Sequence, residues 1–445
     1  MNKNKDYLIT EKPSRALFAF ALPMIIGNLF QQAYTIVDSA IVGHYVGETA
    51  LAAVGASYAL TSIFICVAIG GGIGASVIIS QHFGGHAYSR MKTSIRTAML
   101  SFLLISLLLG GIGLCFSRQI MEALNTPADA MDIAVIYLNI YFYGLPFLFM
   151  YNILSSMFNA LGESRIPLYL LIFSSVLNIF LDLYMVATLH LGVAGAAYAT
   201  FIAQGISAVC SFLIFLHTLR RLDGKAETWF SKAEFSSMSR IALPSILQQS
   251  TVSIGMMLVQ SVVNGFGTQI LAGFSAGMRI ESLCVVPMAA IGNALSSYTA
   301  QNIGAEKHER ISLGYRTANI MVAITAIILC LFLELLHRPL IALFLDGAPS
   351  AQTVVTGEGY LRFIGFFFCM IGFKMAVDGI LRGAGAVKVF TIANLVNLGL
   401  RVLIAKLGAP VYGIAMIWYA VPLGWLANFL ISYGYYRTGK WKQIK

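Results

Sequence analysis

Two aspartates stand where a carboxylate is costly to keep. Asp38 and Asp182 both fall inside long apolar runs, away from the charged segments that separate those runs. An ionisable group within a membrane-spanning helix costs about 2.5–3.5 kcal/mol on insertion scales, so its presence there reads as function by default. Asn178 precedes Asp182 by four residues and shares its helix face one turn earlier. Thr200 brings a hydroxyl on the next apolar run. Two carboxylates in a poorly solvated cleft do not both ionise comfortably, because burial and like charge each disfavour the charged form. Such a pair suits holding a proton, or binding Na⁺ with help from the amide and hydroxyl oxygens of Asn178 and Thr200.

The elements that carry these groups follow from composition. Of 445 residues, 58% are hydrophobic and 11% charged, against roughly 25% charged in a soluble domain. Runs such as Thr97–Cys115, Ile166–Leu181 and Thr317–Leu333 contain no Lys, Arg, Asp or Glu and have about the length of a spanning helix. Lipid offers no partner to backbone N–H and C=O groups, so these runs must be helical. The expected fold is an all-α polytopic membrane protein with about twelve spans, roughly 16–41, 51–80, 95–117, 133–158, 166–188, 193–216, 241–263, 271–300, 317–337, 359–380, 389–407 and 411–435. Span five starts near Pro167, so Asp182 lies about 22 Å along it. Span six returns from near Gly192, and Thr200 is about 12 Å along that one. In a hydrocarbon core of about 30 Å the two meet in the outer half, with Asp38 nearer still to the outer end of span one.

A net charge of +10 would suggest nucleic acid in a soluble protein. Here most of the 29 basic residues sit in the tails and alternate loops, from Lys3, Lys5 and Lys12 to Lys440, Lys442 and Lys445. Basic residues gather on the cytoplasmic side of membrane proteins. Both termini are therefore expected in the cytoplasm, with the chain in the plasma membrane (a bacterial inner membrane), and the excess charge is topogenic. The first apolar stretch runs on through Gln31, Gln32 and Asp38 without an A-x-A cleavage site, and it reads as a retained helix rather than a signal. The six cysteines lie in or at the ends of apolar runs without a CxxC, and the seven histidines show no ligand spacing. No structural metal site and no cofactor are expected.

The chain also repeats itself. Leu51-Ala52 answers Leu271-Ala272, Gln81-x-x-Gly84 answers Gln301-x-x-Gly304, and Arg96-Thr97-Ala98 answers Arg316-Thr317-Ala318, each at an offset of 220. Leu22-Pro23 and Leu243-Pro244 make a similar pair, each followed by two glutamines. Six spans per half is an even number, so the halves enter from the same side as parallel repeats, a recurrent plan of secondary transporters. The expected division is an N-terminal six-helix bundle over residues 1–219, a cytoplasmic linker over 220–240, and a C-terminal six-helix bundle over 241–445. The cluster Gly70-Gly71-Gly72-x-Gly74 lacks the lysine of a P-loop and reads as a surface for close helix packing.

In identity, order and spacing these motifs resemble the multidrug and toxic compound extrusion (MATE) family. The residues concerned are Leu22-Pro23, Asp38-Ser39-Ala40-Ile41-Val42-Gly43, Leu51-Ala52-Ala53-Val54-Gly55, Gln81-x-x-Gly84, Asn178-x-x-x-Asp182 and Gly192-Val193-Ala194-Gly195. The resemblance covers essentially the whole chain, and the Asn178/Asp182 pattern looks most like the branch named for DNA-damage-inducible protein F. It implies two bundles around a central cleft. It also implies export of varied, often cationic, amphipathic compounds by alternating access, in exchange for inward H⁺ or Na⁺. In that branch Asp38, Asn178, Asp182 and Thr200 would form the cation site, Na⁺ being possible at the first three, and Pro23 would bend the first helix. Candidate substrate-cleft residues are Gln32, Tyr34, Asn159, Gln248, Gln249, Met256 and Gln260. Span seven lacks the carboxylate of another branch's second site, holding Gln248, Gln249 and Gln260 instead. The acids do not repeat: Asp38 aligns with Val259, and Asp182 aligns best with Arg401.

In the C-terminal half Arg279, Glu281, Lys374, Asp378 and Arg401 lie in or near spans, and Lys374 and Asp378 have the spacing of a within-helix ion pair. The expected partners are small amphipathic molecules and membrane lipid, not nucleic acid, with the monomer as the working unit. Two alternatives differ from export of drugs. A flippase for a lipid-linked amphiphile would want several arginines in the cavity, yet spans one to six have no Lys or Arg in their middles. A polytopic receptor fits the span count but lacks a signalling domain. An enzyme would need a constellation such as HExxH or GxSxG, and none is found, so no catalytic residue is expected.

Overall fold

Backbone groups surrounded by lipid must pair within their own segment, and the computed structural model has the apolar runs as α-helices. The structure describes residues 6–46, 48–124, 126–128, 130–345 and 350–443. A short α1 (Tyr7–Thr10) leads into α2 (Pro13–Val46), α3 (Glu48–Gly84), α4 (Tyr88–Ala123) and α5 (Met131–Ala160). Next come α6 (Arg165–Asp182), a π-helical turn (Leu183–Thr188) and α7 (Gly192–Arg220). The second half continues as α8 (Lys232–Asn264), α9 (Thr268–Gly304), α10 (His308–Leu343), α11 (Ala351–Gly365), α12 (Phe368–Gly383), α13 (Val387–Tyr412) and α14 (Ala415–Arg437).

Among the described residues eleven segments are long and apolar enough to cross a membrane, and α11 with α12, bent by 52°, makes a twelfth. The tenth span, expected as one helix over 359–380, is thus broken. The helix is interrupted at Phe366 and Phe367, directly after Gly365, the poorest helix former of that run. Several helices also overshoot their spans: α3 and α9 have 37 residues each, about 55 Å at 1.5 Å per residue.

The chain forms two compact units, one of Ile26–Ile246 and one of Met1–Ile25 with Leu247–Lys445. This differs from the expected division at 219 and 241. Residues 220–246 group with the first unit because that unit supplies their partners. Lys92 donates to the carbonyls of Leu222 and Gly224 at 2.7 and 2.8 Å. Thr97 and Thr93 hydroxyls receive the N–H groups of Ser231 and Glu227, each at 3.0 Å, and Arg96 lies over the Trp229 ring. On α8, Glu234 accepts from Ser94 at 2.7 Å and meets His82 at 3.0 Å. The first residues group with the second unit for the same kind of reason. Asn302 donates to the carbonyl of Leu8 at 3.1 Å, and Arg310 reaches the carbonyls of Leu8 and Glu11.

Each unit has its own core. In the first, Phe102, Phe142, Phe149, Phe158 and Phe215 pack between α4, α5 and α7. In the second, Phe274, Tyr298, Tyr360, Phe368 and Trp425 do so around α9. The glycine cluster is part of the first unit's packing. A Cβ on Gly70 would lie 2.5 Å from the Ile246 nitrogen, and one on Gly74 2.7 Å from Ala242 Cβ and the Met238 carbonyl oxygen. Four-residue spacing on both helices (70 and 74; 238, 242 and 246) lets the backbones of α3 and α8 touch along one face.

Candidate functional site

Helix α6 carries Asn178 and Asp182 on one face and turns that face inward, leaving Asp182 fully buried and Asn178 2% exposed. Directly after Asp182 the ladder widens into the π-helical turn, where the Leu189 N–H bonds to the Tyr184 carbonyl at 2.9 Å. Single π turns inside α-helices are common at functional sites. They shift the register of the residues on their C-terminal side, so the side chain at the junction is aimed independently of the apolar face beyond it.

Four elements of the first unit meet here. Asp38 of α2 lies within hydrogen-bonding reach of Asp182. Tyr34, one turn earlier on α2, has its hydroxyl 2.6 Å from the Asn178 amide. That amide satisfies both of its ends when Nδ2 donates to Asp182 Oδ2 at 2.9 Å and to Tyr34 Oη, and Oδ1 accepts the Thr200 N–H at 3.1 Å. From α5, Tyr137 lies close enough to feel the charge of both aspartates. A cavity of about 20 Å³, lined by Tyr137, Tyr141, Thr200, Phe201 and Gln204 among others, adjoins the cluster. It has room for a single water.

The oxygens are not all used. Oδ1 of Asp38 and Oδ1 of Asp182 are both buried with no hydrogen-bond partner. Buried polar atoms are nearly always paired, and an orphan calls for an explanation such as an ion. Two orphaned carboxyl oxygens and the Thr200 hydroxyl nearby make an all-oxygen, hard-donor set. That is the chemistry for a proton or a hard monovalent cation, not for a soft metal.

The structure thus brings Asp38, Asn178, Asp182 and Thr200 together. It also sets Tyr34, expected in the substrate cleft, against Asn178 of this cluster, and adds Tyr137, which sequence reasoning missed. Asn159, also expected in the cleft, falls in the last turn of α5, about 33 Å along the helix from Tyr137. Pro23 is buried within α2, and Gln32 is half-buried farther along it. On α8, Gln248 has a buried orphan Oε1, Gln249 is half-buried, Met256 is exposed, and Gln260 donates to Ser275 Oγ at 3.3 Å.

The second unit holds a different set of charges. Lys374 and Asp378 form the expected ion pair on α12 at 3.0 Å, both buried, with Asn394 accepting from the lysine and Ser432 donating to the aspartate. Glu281 of α9 accepts from the Tyr360 hydroxyl. Arg279, an exposed residue of the same helix, edges a pocket of about 400 Å³ together with Ser275, Phe344 and Thr353.

Against known proteins, the MatE family profile matches twice, over residues 23–184 and 244–407. The two matches begin at Pro23 and Pro244, the repeat-related prolines. A probable multidrug resistance protein of Bacillus subtilis, YpnP, is 30% identical over 97% of this chain and 96% of its own. An FAD transporter of Shewanella oneidensis is 23% identical over 95% of this chain and 94% of its own. Among solved structures, an outward-facing MATE family multidrug transporter of the MOP superfamily superposes with a TM-score of 0.90 at 22% identity, both chains covered in full. That likeness is one of fold.

Proposed function

The chain belongs to the MatE family, and from that premise we propose that it is a secondary antiporter exporting amphipathic, often cationic compounds in exchange for inward H⁺ or Na⁺. The observation that carries this reading is the Asp38/Asp182 pair with its two orphaned oxygens, buried inside a bundle of membrane helices. The family match over both halves supports transport, and names of relatives such as YpnP support drugs as the cargo.

In the proposed cycle both termini face the cytoplasm and the coupling ion arrives from outside. Neutralising the aspartate pair removes the repulsion between two buried charges. The Tyr34–Asn178–Asp182 hydrogen bonds then rearrange, and α2 bends at Pro23, where the missing N–H leaves one helix hydrogen bond unmade. Bending of α2 changes which face of the protein the substrate site opens to, and the substrate leaves. The ion is cargo rather than a resident cofactor, and one chain holds every residue of the proposed ion site.

The test is dye transport in everted membrane vesicles with ΔpH and ΔNa⁺ imposed separately. Wild type is expected to move dye with one of the two gradients, and Asp38→Asn to lose about tenfold or more of that rate, one charged partner of a coupled pair having been removed. Wild-type rates indifferent to both gradients, or an Asp38→Asn rate equal to wild type, would overturn the antiporter reading.

A further inference from the structure

The repeat that relates the two halves preserves the amide of the ion site and inverts its charge. Asn178 and Asp182 on α6 correspond to Asn397 and Arg401 on α13, each at an offset of 219. Asn178 and Asp182 are buried in the first unit, and Asn397 and Arg401, both half-buried, pack toward α14 in the second. On α13 a Cβ at Gly424 of α14 would collide with Asn397 Oδ1 and Arg401 Cγ, so the glycine is what admits them against that helix.

Arg401 is an unpaired charge of the second unit. Its Nε is buried and has no hydrogen-bond acceptor. Among the described residues no carboxylate lies within ion-pair distance of it. Glu281, the acid near Arg401, is instead engaged by the Tyr360 hydroxyl. Beside that tyrosine, with ring centroids 6.0 Å apart, stands Trp418, and its Nε1–H is a second buried donor without an acceptor. Asn397 Oδ1 is orphaned as well, one helical turn from Arg401. The first unit therefore has buried acceptors without a protein donor. The corresponding place in the second unit has a buried guanidinium Nε lacking an acceptor, beside an amide whose oxygen is unpaired.

We propose that Arg401, with the Asn397 amide one turn from it, forms an anion-binding subsite in the second unit, which takes a carboxylate or phosphate group. A guanidinium fits that chemistry, since its planar donors match the two oxygens of such a group and it stays charged when desolvated. Glu281 tempers the site as a competing acceptor for Arg401, and its bond to Tyr360 keeps it from capping the guanidinium. Two sources of the anion share this chemistry, the acidic end of a transported amphiphile and a free inorganic anion. The proposal rests on the exporter reading only for the first source.

Equilibrium binding to the purified full chain in detergent, read by fluorescence anisotropy, tests this without any ion gradient, so it can fail or succeed independently of antiport. The probes are fluorescein and rhodamine 123, which share a xanthene frame and differ in charge. Fluorescein is expected to bind wild type, to bind Arg401→Gln roughly tenfold or more weakly, and to bind Glu281→Gln several-fold more tightly. Rhodamine 123 binding should be unmoved by Arg401→Gln. Sodium phosphate is then titrated against bound fluorescein at constant ionic strength: displacement assigns the subsite to inorganic anions also, and its absence assigns it to the acidic amphiphile. If size-exclusion chromatography shows that Arg401→Gln does not fold, the opposite-signed Glu281→Gln variant decides. Wild type that does not bind fluorescein overturns the proposal. So does fluorescein affinity unchanged in both variants, or an equal loss of both dyes in folded Arg401→Gln.

Discussion

At the scale of single residues, the ion site turns on which side chain shares a face with which. The four-residue spacing that joins Asn178 to Asp182 is legible in the sequence, and the same spacing joins Tyr34 to Asp38 on α2. Tyr34 nonetheless reads as a cleft residue, because a tyrosine in an apolar run has no cost that marks it out, whereas a carboxylate does. Tyr137 is invisible for the same reason, as one of 20 tyrosines. The Tyr34 hydroxyl, 2.6 Å from the Asn178 amide, holds that amide toward Asp182 without being a ligand itself. Tyr34→Phe removes one buried hydrogen bond, about 1 kcal/mol net. The expected result is a roughly fivefold higher half-saturating concentration of the coupling ion, with the maximal dye-transport rate near that of wild type. A fall in maximal rate with unchanged ion dependence would mean that the tyrosine serves the substrate instead.

At the scale of elements, spans are legible and their ends are not. Apolarity marks what lies in lipid, so the spans come out near the right places. Helices such as α3 and α9 continue well past them, since nothing forces a helix to stop at the interface. The break between α11 and α12 and the π turn after Asp182 leave hydropathy unchanged, and so carry no such signal. The glycine cluster on α3 is legible as a packing surface, but not its partner, which is the first half of α8. Gly74→Ala would set a Cβ 2.7 Å from Ala242 Cβ and the Met238 carbonyl oxygen, where backbone must give way. Overpacking of this kind costs about 1–3 kcal/mol. Gly111 in α4 has nothing within 4 Å of the corresponding position, and alanine there is the better helix former by about 1 kcal/mol. In detergent, Gly74→Ala should unfold at lower temperature than wild type and Gly111→Ala should not. Equal melting of the two variants would remove the close α3–α8 contact from the account.

At the scale of the whole molecule, the duplication is readable from paired motifs, while the grouping of chain segments is not. Charge composition suggests a boundary in the basic stretch 220–240, since a linker and a cytoplasmic loop have the same composition. The structure moves the boundary into the helices. Residues 1–25 belong with the second unit and residues up to Ile246 with the first, so α2 and α8 each start in one unit and finish in the other. The prolines Pro23 and Pro244 lie just before the two changes of unit. Each half of the gene therefore encodes a segment that completes the other half's bundle. A chain divided in the loop between Gly224 and Lys225 should show this directly. Co-expressed fragments 1–224 and 225–445 are expected to co-purify, because the second fragment carries Ser231 and Glu234 for Thr97, Ser94 and His82 of the first. In turn, the first fragment carries the Leu8 and Glu11 carbonyls for Asn302 and Arg310 of the second. Removing residues 2–25 from one fragment and 225–246 from the other, which strips both exchanged segments, should abolish co-purification. Either a separable full-length pair or a trimmed pair that still holds together would show that the exchanged segments do not hold the halves as one protein.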